Sequence, residues 1–103
     1  MTIYKCRAGV VLTKICGEYL LVAAKNLLEY CPYVTQIDEN TAFVWKELKK
    51  GVTLQELLIS TAKAYQEELE EIETPLNMIV RELYEMGYLI EEERNGQDNE
   101  KEE

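Results

Sequence analysis

Apolar and polar positions along the chain fall into blocks with two different periods. Residues 9–15 (GVVLTKI) and 19–24 (YLLVAA) are dense in β-branched and large apolar side chains, and the short Cys16-Gly17-Glu18 interval between them contains a glycine. This arrangement predicts a β-hairpin. The segment KNLLEYC that follows suits a loop or a single helical turn, and Pro32 restarts the chain in an extended conformation. Residues 33–37 (YVTQI) put Tyr33, Thr35 and Ile37 on one face and Val34 and Gln36 on the other. That alternation predicts a third strand, placed at a sheet edge.

From Asp38 onward the period changes. Asp38 is positioned to cap a helix over 39–49, with Glu39 near its positive end, Lys49 and Lys50 near its negative end and Gly51 just beyond. Ala42, Val44, Trp45 and Leu48 supply its apolar surface. Thr53-Leu54-Gln55-Glu56 is a capping box, followed by Leu54, Leu57, Leu58, Thr61, Ala62 and Tyr65 at the spacing of one helical face. The EELEEIE stretch reads as a solvated connection, because its like charges repel, until Thr74-Pro75 opens a third helix with proline at its first position. Leu76, Ile79, Val80 and Leu83 form the buried stripe of that helix, Gly87 ends it, and Tyr88-Leu89-Ile90 returns as a short extended segment.

Three strands followed by three helices predict an α+β domain of winged helix-turn-helix type, with a three-stranded antiparallel sheet. The 103 residues support one domain. Its expected extent is 1–90, because residues 91–103 (EEERNGQDNEKEE) contain no aliphatic or aromatic side chain and read as a disordered acidic tail.

Charge and composition narrow the function. The formal net charge is -9, distributed as +2 over residues 1–50, -6 over 51–90 and -5 over 91–103. Such a balance disfavours nucleic acid and anionic lipid as partners. The longest mainly apolar run, Tyr19 to Ala24, is far short of a membrane span, so a soluble, cytoplasmic protein is expected. Three widely spaced cysteines without a histidine do not make a zinc site and read as reduced thiols. There is no histidine base, Gly-x-Ser-x-Gly motif or phosphate-cradling glycine loop, so neither catalysis nor a cofactor is expected of this chain.

The run IDENTAFVW at 37–45, followed by KELKKG and the capped VTLQEL, closely resembles the PqqD-like family, small peptide-binding domains also called RiPP recognition elements. The resemblance continues through Ile37-Asp38, Val44-Trp45, Gly51, Thr53, Tyr65 and Gly87-Tyr88-Leu89-Ile90, and covers roughly residues 9–90. Asp38 stands where the family has asparagine, and the acidic stretch at 67–73 is longer than the family pattern. The resemblance implies a non-catalytic module that binds the leader of a ribosomally made precursor peptide and presents it to a separate modifying enzyme, often a radical SAM enzyme. It also implies the mode of binding, in which the leader adds a strand beside the third strand and packs against the last helix.

On that basis the candidate peptide-binding residues are Tyr33, Val34, Thr35, Gln36 and Ile37 on the strand and Asn77, Val80, Arg81 and Tyr84 on one flank of the last helix. The other flank carries Met78 and Glu82. The Arg81 side is preferred because it holds that helix's only cation, and an acidic leader would find positive charge at Arg81, Lys25 or Lys46. Trp45, Cys6 and Cys16 read as core. If the Thr35 amide faces the peptide, proline there abolishes strand addition. The alternatives are a winged-helix transcription regulator and an assembly subunit of a modifying-enzyme complex, and an exposed edge strand is also compatible with a homodimer.

Overall fold

The computed structural model describes residues 1–94. Its elements in chain order are β1 (Thr2–Cys6), β2 (Val10–Ile15), β3 (Glu18–Ala23), a 3-10 turn at Lys25–Leu27, β4 (Val34–Ile37), α1 (Glu39–Leu48), α2 (Leu54–Tyr65), α3 (Leu69–Glu85) and β5 (Leu89–Glu93). The architecture is α+β, with antiparallel strands and three helices.

The β2–β3 hairpin forms as the apolar pattern predicts, pairing from Val10 opposite Ala23 to Ile15 opposite Glu18. Cys16 and Gly17 both adopt positive φ, 50° and 79°. This is the requirement of a tight two-residue turn whose twist matches its strands. β4 pairs with β3, with Ile37 opposite Tyr19 and Val34 opposite Val22, so the sheet order is β2-β3-β4.

Helix boundaries follow local capping chemistry. The Thr41 amide donates to Asp38 Oδ1 at 2.8 Å, and α2 begins with the reciprocal pair in which Glu56 N donates to Thr53 Oγ1 (3.0 Å) and Thr53 N to Glu56 Oε1 (3.1 Å). Leu21, Ala23, Val44, Trp45, Leu48, Leu57, Leu76, Val80, Leu83, Tyr88 and Leu89 form one core between the three-stranded sheet and the helices.

Three expectations are corrected. The acidic stretch is not a connection, because α3 starts at Leu69 and carries Pro75 inside it. Leu69, Ile72, Leu76, Ile79, Val80 and Leu83 keep one helical spacing straight through the proline, and Glu70 and Glu71 sit in the first turn, where the helix dipole favours carboxylates. Proline in a helix interior costs about 3 kcal/mol, which burial of Leu76, Val80 and Leu83 with partial burial of Ile72 and Ile79 offsets. Second, the chain has an N-terminal strand, β1, which pairs with β5 in a separate two-stranded sheet. Third, the expected tail begins too early, since Glu91, Glu92 and Glu93 belong to β5.

Those three glutamates pair through their backbone opposite Tyr4, Ile3 and Thr2, and ion pairs fasten the ends. The N-terminal amine lies 2.7 Å from Glu93, and Arg94 lies 2.6 Å from Glu56. β1 also bridges to Val52, between α1 and α2, through Tyr4 N to Val52 O (2.8 Å) and the return bond (3.1 Å). Residues 95–103, the remainder of the expected tail, lie outside the described residues. Among the described residues, no helix is long and apolar enough to cross a membrane.

Candidate functional site

Only one side of β4 is used within the sheet. Ala23 donates to the Tyr33 carbonyl at 2.8 Å, and partners repeat every second residue in an antiparallel ladder. Thr35 and Ile37 therefore direct their backbone groups toward β3, while those of Val34 and Gln36 point to the open side. Among the described residues no strand pairs with that side. The Thr35 amide thus faces β3 rather than a ligand, which changes the informative proline substitution from Thr35 to Gln36.

The strand is held from beneath by Tyr88. This fully buried tyrosine donates to the Pro32 carbonyl at 3.0 Å, which leaves its oxygen to accept from Thr35 Oγ1 at 2.5 Å. Burial pushes its hydroxyl pKa up, partly opposed by the Thr35 hydrogen bond. Its ring meets Trp45 edge to face at 6.3 Å. Tyr88 is itself placed by the end of α3, where Gly87 N donates to Tyr84 O and Tyr88 N to Leu83 O, both at 3.0 Å. That is the double closure of a left-handed helix terminus, with Gly87 at φ 93°.

A groove of about 210 Å³ runs between the open edge of β4 and α3, lined on the helix side by Ile79, Glu82, Leu83 and Met86 and on the strand side by Thr35, Gln36, Ile37 and Asp38. The expected helix flank is therefore replaced by the opposite one. Asn77, Val80, Arg81 and Tyr84 do share a groove, of about 300 Å³, but its other walls are Tyr4 and Leu54. Val80 is a core residue, 4% exposed. Tyr84 packs edge to face on Tyr4 at 6.1 Å and donates to Glu91 at 3.2 Å, and the nearby Glu91 charge raises its pKa. The strand residues and the expected helix residues thus form two separate surfaces.

Of the strand residues, Tyr33 and Val34 are exposed, Thr35 and Ile37 are half-buried, and Gln36 is held by a hydrogen bond to Glu18. Helical periodicity assigned Ile79 and Leu83 to the core stripe and Glu82 to the other flank. It could not specify which flank faces β4, because that depends on how α3 crosses the sheet. The Gly87-Tyr88 pair was the available signal, since it returns the chain beneath the strand from the Met86 end.

A further cavity of about 210 Å³ lies between the start of α1, α2 and α3, lined by Asn40, Val44, Thr61, Tyr65, Glu67, Glu71, Ile72, Pro75, Leu76 and Ile79. Thr61 is 5% exposed, and its hydroxyl has no hydrogen-bond partner.

The cysteines are free thiols. Cys31 is buried and Cys6 half-buried, with the Cys6 thiol pushed up to about 12 by burial. Cys16 is exposed in the hairpin turn, contrary to its expected place in the core. Among the described residues, no three His, Cys, Asp or Glu side chains are grouped to hold a metal ion. No family model matches the chain, and no curated protein or solved structure matches it significantly.

Proposed function

We propose that this chain is a non-catalytic recognition module that binds an extended segment, the leader of a ribosomally made precursor peptide, by strand addition to β4 and presents it to a separate modifying enzyme. One observation carries the reading: β4 turns the backbone groups of Val34 and Gln36 to its open side, and the groove that reaches Gln36 there is lined from the helix by Ile79, Leu83 and Met86, with Glu82 among them. An added strand would satisfy the backbone groups at Val34 and Gln36, and the flank would select its side chains.

The winged helix-turn-helix reading belongs to the same proposal. α1, the bridge at Val52, α2, α3 and β5 follow one another in the order of such a fold, with β1 between Val52 and β5. A regulator that reads DNA through α3 draws little support, because Arg81 is its only cation among several glutamates. The cytoplasmic location stands with this reading.

The test is calorimetric titration with the leader of a small peptide encoded beside this protein, using a scrambled leader as control. Sequence-dependent micromolar binding, lost in Gln36→Pro, is expected. The substitution removes an outward amide that the sheet does not use, which an edge strand tolerates. Binding that is unchanged in Gln36→Pro, or absent for every neighbouring leader with and without the adjacent enzyme, refutes it.

A further inference from the structure

The β4 groove and the cavity between α2 and α3 are neighbours. Ile79 lines both, Thr41 of the first turn of α1 lines the groove, and the adjacent Asn40 lines the cavity. A chain paired with β4 and continuing past the start of α1 therefore reaches the cavity without leaving the surface. The floor along that path is apolar: Ile37, Leu83 and Met86 in the groove, then Ile79, then Val44, Ile72 and Leu76 in the cavity.

The rim has one sign of charge. Asp38 and Glu82 border the groove, Glu67 and Glu71 border the cavity, and no Lys or Arg lines either. Lys14 and Lys46 lie over the Tyr19 ring, at 4.9 and 5.9 Å from its centre. Arg81, one of the three cations expected to serve an acidic leader, lines the other groove. Within the cavity, the unpartnered hydroxyl of Thr61 is a second and independent mark of a binding place, because a buried polar group without a partner carries a desolvation cost that a ligand group or water can relieve.

We infer that the bound peptide extends beyond the strand that pairs with β4, seats a Tyr or Trp side chain in the cavity, its ring on the apolar walls and its O–H or N–H donating to Thr61 Oγ1, and carries Lys or Arg where it passes Glu67, Glu71 and Glu82. The inference rests on the strand-addition reading and adds to it the length and charge of the ligand. Backbone pairing attaches the peptide, the cavity supplies an anchor, and the carboxylate rim excludes acidic segments.

The experiment is selection of a displayed library of random peptides on the immobilised full chain, with parallel selections on Gln36→Pro and on the double variant Glu67→Gln/Glu71→Gln. Both glutamates are exposed, so neither replacement disturbs the core. The expected winners join Tyr or Trp to Lys or Arg, are lost on Gln36→Pro, and bind the double variant about tenfold more weakly at low salt, with the difference shrinking as salt is raised. Winners that require Gln36 but show no basic excess, or bind the double variant equally, overturn this inference and leave the strand-addition reading intact. If no winner depends on Gln36, both fall.

Discussion

Removing one oxygen tests how β4 is held in place. Tyr88 is fully buried and its hydroxyl serves two partners, donating to the Pro32 carbonyl at 3.0 Å and accepting from Thr35 at 2.5 Å. Tyr88→Phe keeps the ring and its edge contact with Trp45 but breaks both bonds. At a net value of about 1 kcal/mol per hydrogen bond, the expected loss of stability is about 2 kcal/mol. Thr35→Val removes only the shared bond and should cost about 1 kcal/mol.

In the double variant the shared bond is counted once, so the two losses should fall short of additivity by about 1 kcal/mol. Urea unfolding followed by far-UV circular dichroism and Trp45 fluorescence measures all four proteins. For the tyrosine variant the midpoint should move down by roughly 1 M at an unchanged slope. A loss below about 0.5 kcal/mol for Tyr88→Phe, or strict additivity in the cycle, would show that the hydroxyl pair does not support the strand.

Other substitutions probe the backbone and the thiols. Gly87→Ala should destabilise by at least about 3 kcal/mol in the same assay, since φ is 93° and a Cβ there would overlap the Tyr30 carbonyl oxygen. Cys16→Asn should stabilise by roughly 0.5–1 kcal/mol in thermal unfolding, because Cys16 occupies a left-handed turn position that asparagine adopts more readily. For Cys6, burial raises the folded thiol from 9.0 to about 12. The unfolded thiol ionises first, so stability is lost as pH rises through that window. Cys6→Ala should show a shallower alkaline loss than the parent, and maleimide near neutral pH should label Cys16 well before Cys6 or Cys31.

Much of the fold was legible in the chain because it is encoded over short distances. The β2–β3 hairpin is written in two apolar runs around Cys16-Gly17, α1 and α2 in the caps Asp38 and Thr53, and β4 in the alternation of YVTQI. Each depends on residues a few positions apart. The same local logic missed β1 and the end of β5, because Thr2–Cys6 and the three glutamates of Glu91–Glu93 become strands through backbone pairing with a segment about ninety residues away. It also misread the acidic stretch, since charge repulsion and Pro75 argue locally for a break while Ile72, half-buried beside Thr61 and Tyr65 of α2, gives the turns before the proline a tertiary contact.

The candidate site divides along the same line. The sequence by itself determined that a strand runs through Val34–Ile37 with Thr35 and Ile37 on one face and Val34 and Gln36 on the other, and that α3 carries an inward stripe with two flanks. Only the tertiary structure decided which backbone groups of β4 are open, through the pairing of Ala23 with Tyr33. It also decided that Ile79, Glu82, Leu83 and Met86 face β4 while Asn77, Arg81 and Tyr84 face Tyr4. Periodicity fixes angles around a helix axis but carries no information about how that axis crosses the sheet. That crossing is set by how the buried side chains, Tyr88 and Leu83 among them, fill one shared core.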